Sequence, residues 1–392
     1  MSPGSATFNQ GFTLDAGASA DVAWSVAMTD DVEMSEALSG VLLGPTPLLT
    51  LTFTFAAVEE DPGSPSDTAF AVFSADDASL TLYKRAEAPV EGTSFLGKEA
   101  TRVYTSIENS RSTQPWRDVA ERIASVSVTD AGVAPKSLYA WFFGCSSLTR
   151  VDVTGFDLSS AKDLSMFFFN CKSLTEADLA TTGMSKVATL YGAFGGCTSL
   201  RSVDVSALDV ASVTNFAYCF SGCAKLEKLD LSGWDASSAR DVNHFLSGCA
   251  SLAELDLTGL RTEGVTDFSY FLYGCKSLEE LDLTGISTAS AKNGYGMFSG
   301  MTSLATVRLG TGFSWVGGAY LPLPSAAGVP GTDGKWHSLT SGKAYLPADV
   351  PCGVEDSYSA LPPATGTAEE VVEPGERLSG ETEGTTAAGS TV

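Results

Sequence analysis

The sequence has few of the residues on which enzymes most often rely. Only two histidines, His244 and His337, occur among 392 residues, and they lie in different regions of the chain. The chain also has no G-x-S-x-G elbow, no P-loop with its final Ser or Thr, and no G-x-G-x-x-G turn that opens a helix after a strand. We therefore predict a protein that is not an enzyme, has no catalytic residues and binds no cofactor.

Basic side chains are scarce as well. The chain has 23 Lys and Arg residues against 47 Asp and Glu residues, which gives a formal net charge of −24. Such a surface repels phosphate backbones and anionic lipid headgroups. Nucleic acids and membrane surfaces are therefore poor candidates for partners.

Long hydrophobic runs are missing too. The most apolar stretch, residues 41–58, contains Gly44, Pro45 and Pro47, and its second half is typical of a β-strand and not of a membrane span. The first residues show no secretory signal pattern. LPPATG at residues 361–366 resembles a sortase signal only loosely, and no apolar span follows it. We expect no membrane insertion by this chain.

What the sequence does have is a strict internal repeat. Six cysteines follow one another at intervals of 26 residues, and the next step falls on Met301. The repeat blocks run from Trp141 to Trp315 and share the pattern F-x-G-C-x-x-L-x-x-L-D-L-[ST]-G. Such a fixed period predicts a solenoid, and L-x-x-L-x-L is the core of leucine-rich repeats. The six cysteines are Cys145, Cys171, Cys197, Cys223, Cys249 and Cys275.

Each repeat predicts one coil of an α/β solenoid with right-handed winding. In the Leu-Asp-Leu sequence of residues 229–231, strand alternation points the leucines inward and the aspartate outward. Apolar residues then recur at helical spacing between Ser212, a plausible N-cap, and Gly222, a plausible stop. We expect a short strand and a short helix in every coil, with left-handed backbone at Gly222 and at its counterpart Asn170.

The regions outside the repeats differ in composition. We predict a small β-rich domain at 1–86, a connecting and capping segment at 87–140, the solenoid at 141–315, a β-like cap at 316–360 and a disordered acidic tail at 361–392. The caps are expected because the end of a solenoid exposes apolar surface.

The repeat resembles that of the BspA-like leucine-rich repeat surface proteins of bacteria. The residues that carry the resemblance include FSGCAKLEKLDLSGWDASSARDV at 220–242 and GTDGKWHSLTSGKAYLPADVP at 331–351, and it extends from about Trp116 to Pro351. The resemblance implies a secreted or cell-surface protein that adheres to, or recognises, proteins or glycans of a host or a neighbouring cell. The alternative is a structural spacer within a larger surface protein, without a ligand of its own.

The cysteine column allows more than one chemistry. Eight cysteines in an extracellular protein suggest disulfides, and neighbouring coils at about 5 Å would allow them by distance. Each cysteine instead lies between a predicted helix stop and an inward-facing leucine, a position that favours a buried side chain. In the last repeat Met301 occupies this position, which indicates a small buried hydrophobic residue and so favours free thiols. A zinc site is not favoured, since no C-x-x-C pair exists.

An aspartate ladder is predicted on the outer face of the sheet. Like charges in adjacent strands repel, so each carboxylate needs a compensating contact. Hydrogen bonds from the backbone N–H groups of the following turn would supply it; calcium, or a basic or hydroxyl-rich partner, are the alternatives. The ladder comprises Asp152, Asp178, Asp204, Asp230, Asp256 and Asp282.

Two sets of residues are candidates for partner binding. The first is the row two residues before each aspartate, which shares its exposed face but varies in type: Arg150, Glu176, Ser202, Lys228, Glu254 and Glu280. The second is aromatic, and its members either contact a partner or pack between coils. It comprises Phe143, Phe169, Tyr191, Tyr218, Tyr270, Tyr273 and Tyr295.

Overall fold

The computed structural model describes residues 67–363 of the chain, apart from 110–113, 180–182 and 207. Most of the predicted N-terminal β-rich region, and the predicted tail from residue 364 onward, therefore lie outside the described residues.

The N-terminal strands continue directly into the sheet of the solenoid. Strand β1 forms an antiparallel hairpin with β2, β5 covers the other edge of β1, and β6 lies parallel to β2. The sheet order β5-β1-β2-β6-β7-β8-β9 shows that this cap and the first coils share one sheet. The strands are β1 (Thr68–Ser74), β2 (Ser79–Arg85), the small hairpin β3 (Ser94–Phe95) and β4 (Lys98–Glu99), β5 (Arg102–Thr105) and β6 (Ser125–Val128).

Each repeat contributes one short strand, and these strands lie parallel and in register wherever they pair. Asp204, for example, lies beside Asp178, and Asp230 lies beside Asp256. We number the coils by their cysteine, from coil 1 with Cys145 to coil 7 with Met301. Their strands are β7 (Arg150–Asp152), β8 (Glu176–Asp178), β9 (Ser202–Asp204), β10 (Lys228–Asp230), β11 (Glu254–Asp256), β12 (Glu280–Leu283) and β13 (Thr306–Leu309).

The predicted helix in each coil is wrong. No α-helix occurs in the described residues, and the six residues before each cysteine, or before Met301, form a string of turns, from 139–144 in coil 1 to 295–300 in coil 7. We call this segment the turn ribbon. Short 3₁₀ turns occur elsewhere, at Ile107–Asn109, Ala120–Arg122, Met184–Lys186 and Pro347–Asp349. The protein is therefore a β-solenoid and not an α/β one.

The hydrogen bonds of the turn ribbon explain why no helix forms. In coil 4, the N–H of Tyr218 donates to the carbonyl of Asn243 in coil 5 at 2.9 Å, while the N–H of Ser221 closes a tight turn onto Tyr218 at 3.1 Å. Alternate N–H groups thus bind the next coil and cannot make i to i−4 bonds. Positive φ at both Tyr218 (59°) and Gly222 (76°) further interrupts any helix. Ser212, the predicted N-cap, instead donates its hydroxyl to the carbonyl of Ser185.

The left-handed backbone predicted before each cysteine is confirmed. Asn170, the one residue of this column that is not glycine, has a φ of 61°. The glycines of the column have φ values between 69° and 80°. They are Gly144, Gly196, Gly222, Gly248, Gly274 and Gly300.

One apolar core runs from the N-terminal cap through the coils to the C-terminal segment, and a second, smaller cluster on the N-terminal strands contains Phe70, Val72, Tyr83 and Ala100. In coil 4, Leu226, Leu229 and Leu231 are all at most 1% exposed. At the N-terminal end, the fully buried Trp116 packs on Trp141, with ring centroids 5.1 Å apart. The core is thus continuous across the coils, as in other repeat proteins.

The C-terminal segment adds strands to the last coil. Strand β16 (Asp356–Ser359) lies antiparallel to β13, and β14 (Trp336–Ser338) and β15 (Ala344–Tyr345) extend the same sheet. Trp336 is fully buried and its indole N–H donates to the carbonyl of Pro322. These contacts give the free edge of β13 a backbone partner, which a terminal coil needs.

Candidate partner-binding surfaces

The aspartate ladder stabilises its own turns. In coil 4, Asp230 accepts the backbone N–H of Ser232 at 2.9 Å, and in coil 5, Asp256 accepts both the N–H and the hydroxyl of Thr258 at 2.8 and 2.7 Å. Asp152, Asp204 and Asp282 make the same contacts two residues onward. Hydrogen bonds to Ser232 lower the pKa of Asp230, because they stabilise the carboxylate. The predicted turn contact is present, and for Asp178 the structure gives only its strand pairing.

A second ladder of turn-forming side chains was missed by sequence reasoning. Asp241 accepts the N–H of Asn243 at 2.9 Å and Asp267 accepts that of Ser269 at 2.8 Å, at the start of the turn ribbon. Each residue of the column forms a β-bridge to its neighbour in the next coil. The signal was available, because Asp, Asn and Thr recur at the same 26-residue spacing. The column is Asp163, Thr189, Asn215, Asp241, Asp267 and Asn293.

The cysteine column is buried and unbonded. All six cysteine side chains are fully buried, and all are free thiols. The Sγ of Cys171 donates to the carbonyl of Phe142 in the preceding coil at 3.0 Å, and the next four cysteines repeat the contact at 3.1 to 3.3 Å. Burial raises the pKa of Cys197 to about 12, so the thiol stays protonated as this donation requires. The prediction of buried free thiols is confirmed.

The strand row lies exposed beside the aspartates. All six side chains, Arg150, Glu176, Ser202, Lys228, Glu254 and Glu280, are exposed. Lys228 and Glu254 form an ion pair at 3.0 Å, but both side chains are about two thirds exposed, with values of 67% and 68%. Such a pair adds little stability. The row is therefore free for a partner, although nothing in its geometry identifies one.

The rings on the turn ribbon form an extended stack, which we call the aromatic row: Tyr191, Tyr218, His244, Tyr270, Tyr273 and Tyr295. His244 lies between Tyr218 and Tyr270, with ring centroids 4.4 and 4.5 Å apart and interplanar angles of 10° and 20°. Tyr191 and Tyr295 meet the two ends of this stack at 5.7 and 5.5 Å. The rings therefore pack between coils, one of the two alternatives left open by the sequence, and they remain partly exposed, up to 61% at Tyr295.

The backbone under the aromatic row is strained. Tyr218, His244 and Tyr270 all have positive φ, at 59°, 53° and 55°. The equivalent positions in coils 3 and 7 are Gly192 and Gly296, with φ of 60° and 67°. A left-handed conformation costs a residue with a side chain about 1–2 kcal/mol. Coils 1 and 2 carry Ala140 and Met166 at this position, with φ of 55° and 56°, so the left-handed conformation belongs to the position in all seven coils and not to the rings.

The electrostatics of the row centre on His244. Burial lowers its pKa, and the nearby carboxylate of Asp267 opposes that shift. Burial raises the pKa of Tyr218, with contributions from Tyr191 and the carboxylates of Asp241 and Asp267. The imidazole is therefore neutral at pH 7 and completes an uncharged stack.

Phe143 and Phe169 form a separate pair on the same ribbon. Their rings stack at 5.6 Å with an interplanar angle of 6°, and Phe143 is 40% exposed. Gly195 lies beneath Phe169, since a Cβ there would come within 2.6 Å of its ring. This gap in the column separates the pair from the aromatic row.

The two histidines lie in separate surroundings, His244 within the aromatic row and His337 in the C-terminal segment. The Nε2 atom of His337 forms a hydrogen bond with the carboxylate of Asp333 at 3.0 Å. The two histidines are far apart in the sequence. Within the described ranges, no group of three or more His, Cys, Asp or Glu side chains could hold a metal ion. None of the helices described is long and apolar enough to cross a bilayer.

The repeat region is similar to known protein families. Residues 136–254 and 188–309 match the family described as "Mycoplasma protein of unknown function, DUF285". A search of curated proteins finds no significant match.

Three solved structures of bacterial leucine-rich repeat proteins are also similar. A leucine-rich repeat protein from Bacteroides ovatus ATCC 8483 is 16% identical with a TM-score of 0.38, covering 59% of this chain and 55% of its own. A leucine rich cell surface protein from Faecalibacterium prausnitzii A2-165 is 17% identical with a TM-score of 0.31, covering 74% and 64%. A leucine-rich repeat protein from Eubacterium ventriosum ATCC 27560 is 14% identical with a TM-score of 0.18, covering 59% and 92%.

The chain is similar to bacterial leucine-rich repeat proteins, one of them described as a cell surface protein, in agreement with the resemblance of its 26-residue repeat. The matches span about half to two thirds of the length of the first two proteins, at 55% and 64%.

Proposed function

We propose that this chain is a non-catalytic recognition module of a bacterial cell-surface or secreted leucine-rich repeat protein. Its partner is a protein on a host or neighbouring cell, and the aromatic row is the surface that contacts it. The observation that carries the proposal is the continuous run of partly exposed rings across neighbouring coils, in which His244 stacks between Tyr218 and Tyr270.

The chemistry of the row suits a protein interface. Tyrosine is enriched at the centres of such interfaces, whereas charged side chains such as those of the strand row are depleted there. The stack from Tyr191 to Tyr295 spans five coils, or about 20 Å at ~4.8 Å per strand step. That length is sufficient for several anchor contacts in one interface.

The stacking itself favours a protein over a glycan. The faces of the His244 ring are covered by Tyr218 and Tyr270, so ring edges and hydroxyl groups point outward along the centre of the row. Stacking a sugar on an aromatic side chain needs an open ring face. Edges and hydroxyls instead pack against side chains and accept or donate hydrogen bonds.

Two triple variants of the full chain test the proposal. The first replaces Tyr218, His244 and Tyr270 by glycine, the residue that coils 3 and 7 carry at this position. The second replaces Arg150, Lys228 and Glu254 by serine, the residue that the same row carries at Ser202. Each change is already tolerated within this repeat, so both variants are expected to keep the fold, which circular dichroism checks.

The assay is binding of the fluorescent full chain to cultured epithelial cells and to other bacterial cells. We expect the glycine variant to bind at least tenfold more weakly, a loss of about 1.4 kcal/mol or more, and the serine variant to bind normally. Protease treatment of the target cells should abolish binding, and glycosidase treatment should not. If the serine variant loses binding and the glycine variant keeps it, the partner contacts the strand row and not the aromatic row. If neither the wild type nor any variant binds, the spacer alternative is favoured.

A further inference from the structure

The carbonyl groups of the turn ribbon accept hydrogen bonds in a regular column. Six hydrogen bonds of 2.7 to 2.9 Å join successive coils at the same repeat position. In each, a backbone N–H donates to the carbonyl of the residue 25 positions later in the sequence. The first joins Ala140 to Ser165 and the last joins Tyr270 to Tyr295. The acceptors are Ser165, Tyr191, Ala217, Asn243, Ser269 and Tyr295.

In the described residues no repeat coil precedes coil 1, so the first carbonyl of each column needs a donor from elsewhere. Gln114 meets this need for one of them, because its side-chain amide donates to the carbonyl of Phe143 at 3.1 Å and contacts the Sγ of Cys145 at 3.3 Å. The carbonyl of Tyr139 begins the column described above. Across residues 67–363 with the gaps already given, no donor reaches it.

A cleft opens beside this carbonyl. It has a volume of about 560 Å³, within the range of ligand-binding sites, and lies between the segment 114–122 and the turn ribbon of coil 1. Its apolar wall includes Phe143 and Tyr139, which are 40% and 37% exposed. On its rim, Arg117 and Glu121 are exposed, and no hydrogen-bond or ion-pair partner for either occurs in the described part of the chain.

We propose that this cleft binds an extended peptide segment of a partner protein. A backbone N–H of the peptide donates to the carbonyl of Tyr139 and so continues the coil-to-coil column by one step. An apolar or aromatic side chain of the peptide packs on Phe143, and Arg117 and Glu121 contact its flanking charges. This is the backbone-addition mode of peptide recognition, with a turn ribbon in place of a strand edge.

The size of the cleft decides which occupant it fits. The segment from Gln114 to Arg122 forms one wall, so a whole coil from a second copy of the chain has no room to stack there. A volume of about 560 Å³ accommodates a few extended residues. The site is also separate from the aromatic row, so the two proposals fail or succeed independently.

The experiment selects ligands from a phage-displayed library of random dodecapeptides on the immobilised full chain. Selected peptides are synthesised with a fluorescent label, and their Kd is measured for the wild type and for two variants. Phe143→Ser removes the apolar wall, and serine already occupies this column as Ser221 and Ser247. Leu339→Ser is the control, because it removes an exposed apolar side chain of the C-terminal segment that lies outside both the cleft and the aromatic row.

We expect Phe143→Ser to weaken binding at least tenfold and Leu339→Ser to change it less than twofold. Methylation of a single backbone nitrogen of the peptide should also weaken binding at least tenfold, because it removes the N–H that Tyr139 accepts. The proposal is overturned if no peptide is selected, or if the selected peptides bind both variants equally. It is likewise overturned if a photo-crosslinker placed at residue 139 reacts, without peptide, with the chain's own residues 1–66 or with a second copy.

Discussion

Replacing Cys223 by alanine measures what the cysteine column contributes to stability. The Cys223 side chain is 0% exposed, and its Sγ donates to the carbonyl of Phe194 at 3.2 Å. That carbonyl also accepts the backbone N–H of Cys197 at 3.1 Å. Losing the thiol therefore leaves no buried carbonyl without a donor, and the cost is expected to come mainly from packing.

The expected magnitude follows from the atom that is removed. A buried sulfur resembles a buried methylene, whose transfer from water is worth about 0.8 kcal/mol. A residual hole of roughly 20 Å³ adds about 0.5 kcal/mol at ~24 cal/mol per Å³. We expect the free energy of unfolding to fall by about 1–2 kcal/mol, which lowers Tm by about 2–6 °C in a protein of this size.

Cys223→Ser separates packing from hydrogen bonding. A C–O bond is shorter than a C–S bond, so the hydroxyl would lie farther from the Phe194 carbonyl than the sulfur does and beyond the usual O–H···O distance of ~2.8 Å. A buried hydroxyl with a poor partner carries a desolvation cost. We therefore expect the serine variant to be no more stable than the alanine variant.

Urea unfolding under reducing conditions, followed by tryptophan fluorescence, gives the free energies. The control is Cys352→Ala, because Cys352 lies outside the column and is only half-buried, and we expect it to change stability by less than about 0.5 kcal/mol. Wild-type stability in Cys223→Ser together with a clear loss in Cys223→Ala would refute the packing argument. It would show that the contact with Phe194 dominates.

Three further changes test other parts of the coil. Gly222→Ala should lose about 1–2 kcal/mol in urea unfolding from left-handed strain alone, since its Cβ would come no closer than 3.6 Å to Gly196, whereas Gly222→Asn should lose less. Asp267→Ala should lose about 1 kcal/mol by removing the acceptor of the Ser269 N–H, and Asp267→Asn, the residue found in coils 4 and 7, should be nearly neutral. Burial lowers the pKa of His244, so its contribution to stability is complete above its ordinary pKa of about 6.5 and is lost as pH falls through the folded value. Between pH 7 and 5, the Tm of the wild type should therefore fall more than that of His244→Tyr, and equal falls would contradict the burial argument.

The sequence by itself determined the features that repeat within one coil. The 26-residue period identified the solenoid, and alternation in the Leu-Asp-Leu sequence placed Leu229 inside and Asp230 outside. Asn170 stands where the other coils have glycine, and this pair of residue types identified a left-handed backbone position. Met301 stands where the other coils have cysteine, which identified a column of buried side chains. These inferences succeeded because they depend on local backbone geometry and on burial, which a repeat displays several times over.

Only the tertiary structure decided how the coils bind one another. Residues 213–220 have helical spacing, yet their N–H groups alternate between closing local turns and donating to the next coil, so the segment becomes a turn ribbon. The stack around His244 arises in the same way, from rings about 26 positions apart. The carbonyl of Tyr139 has no donor among the described residues, because no equivalent coil precedes it there. Apolar spacing reports which side chains are buried, but it does not report where a backbone N–H finds its acceptor, because that acceptor is supplied by another coil.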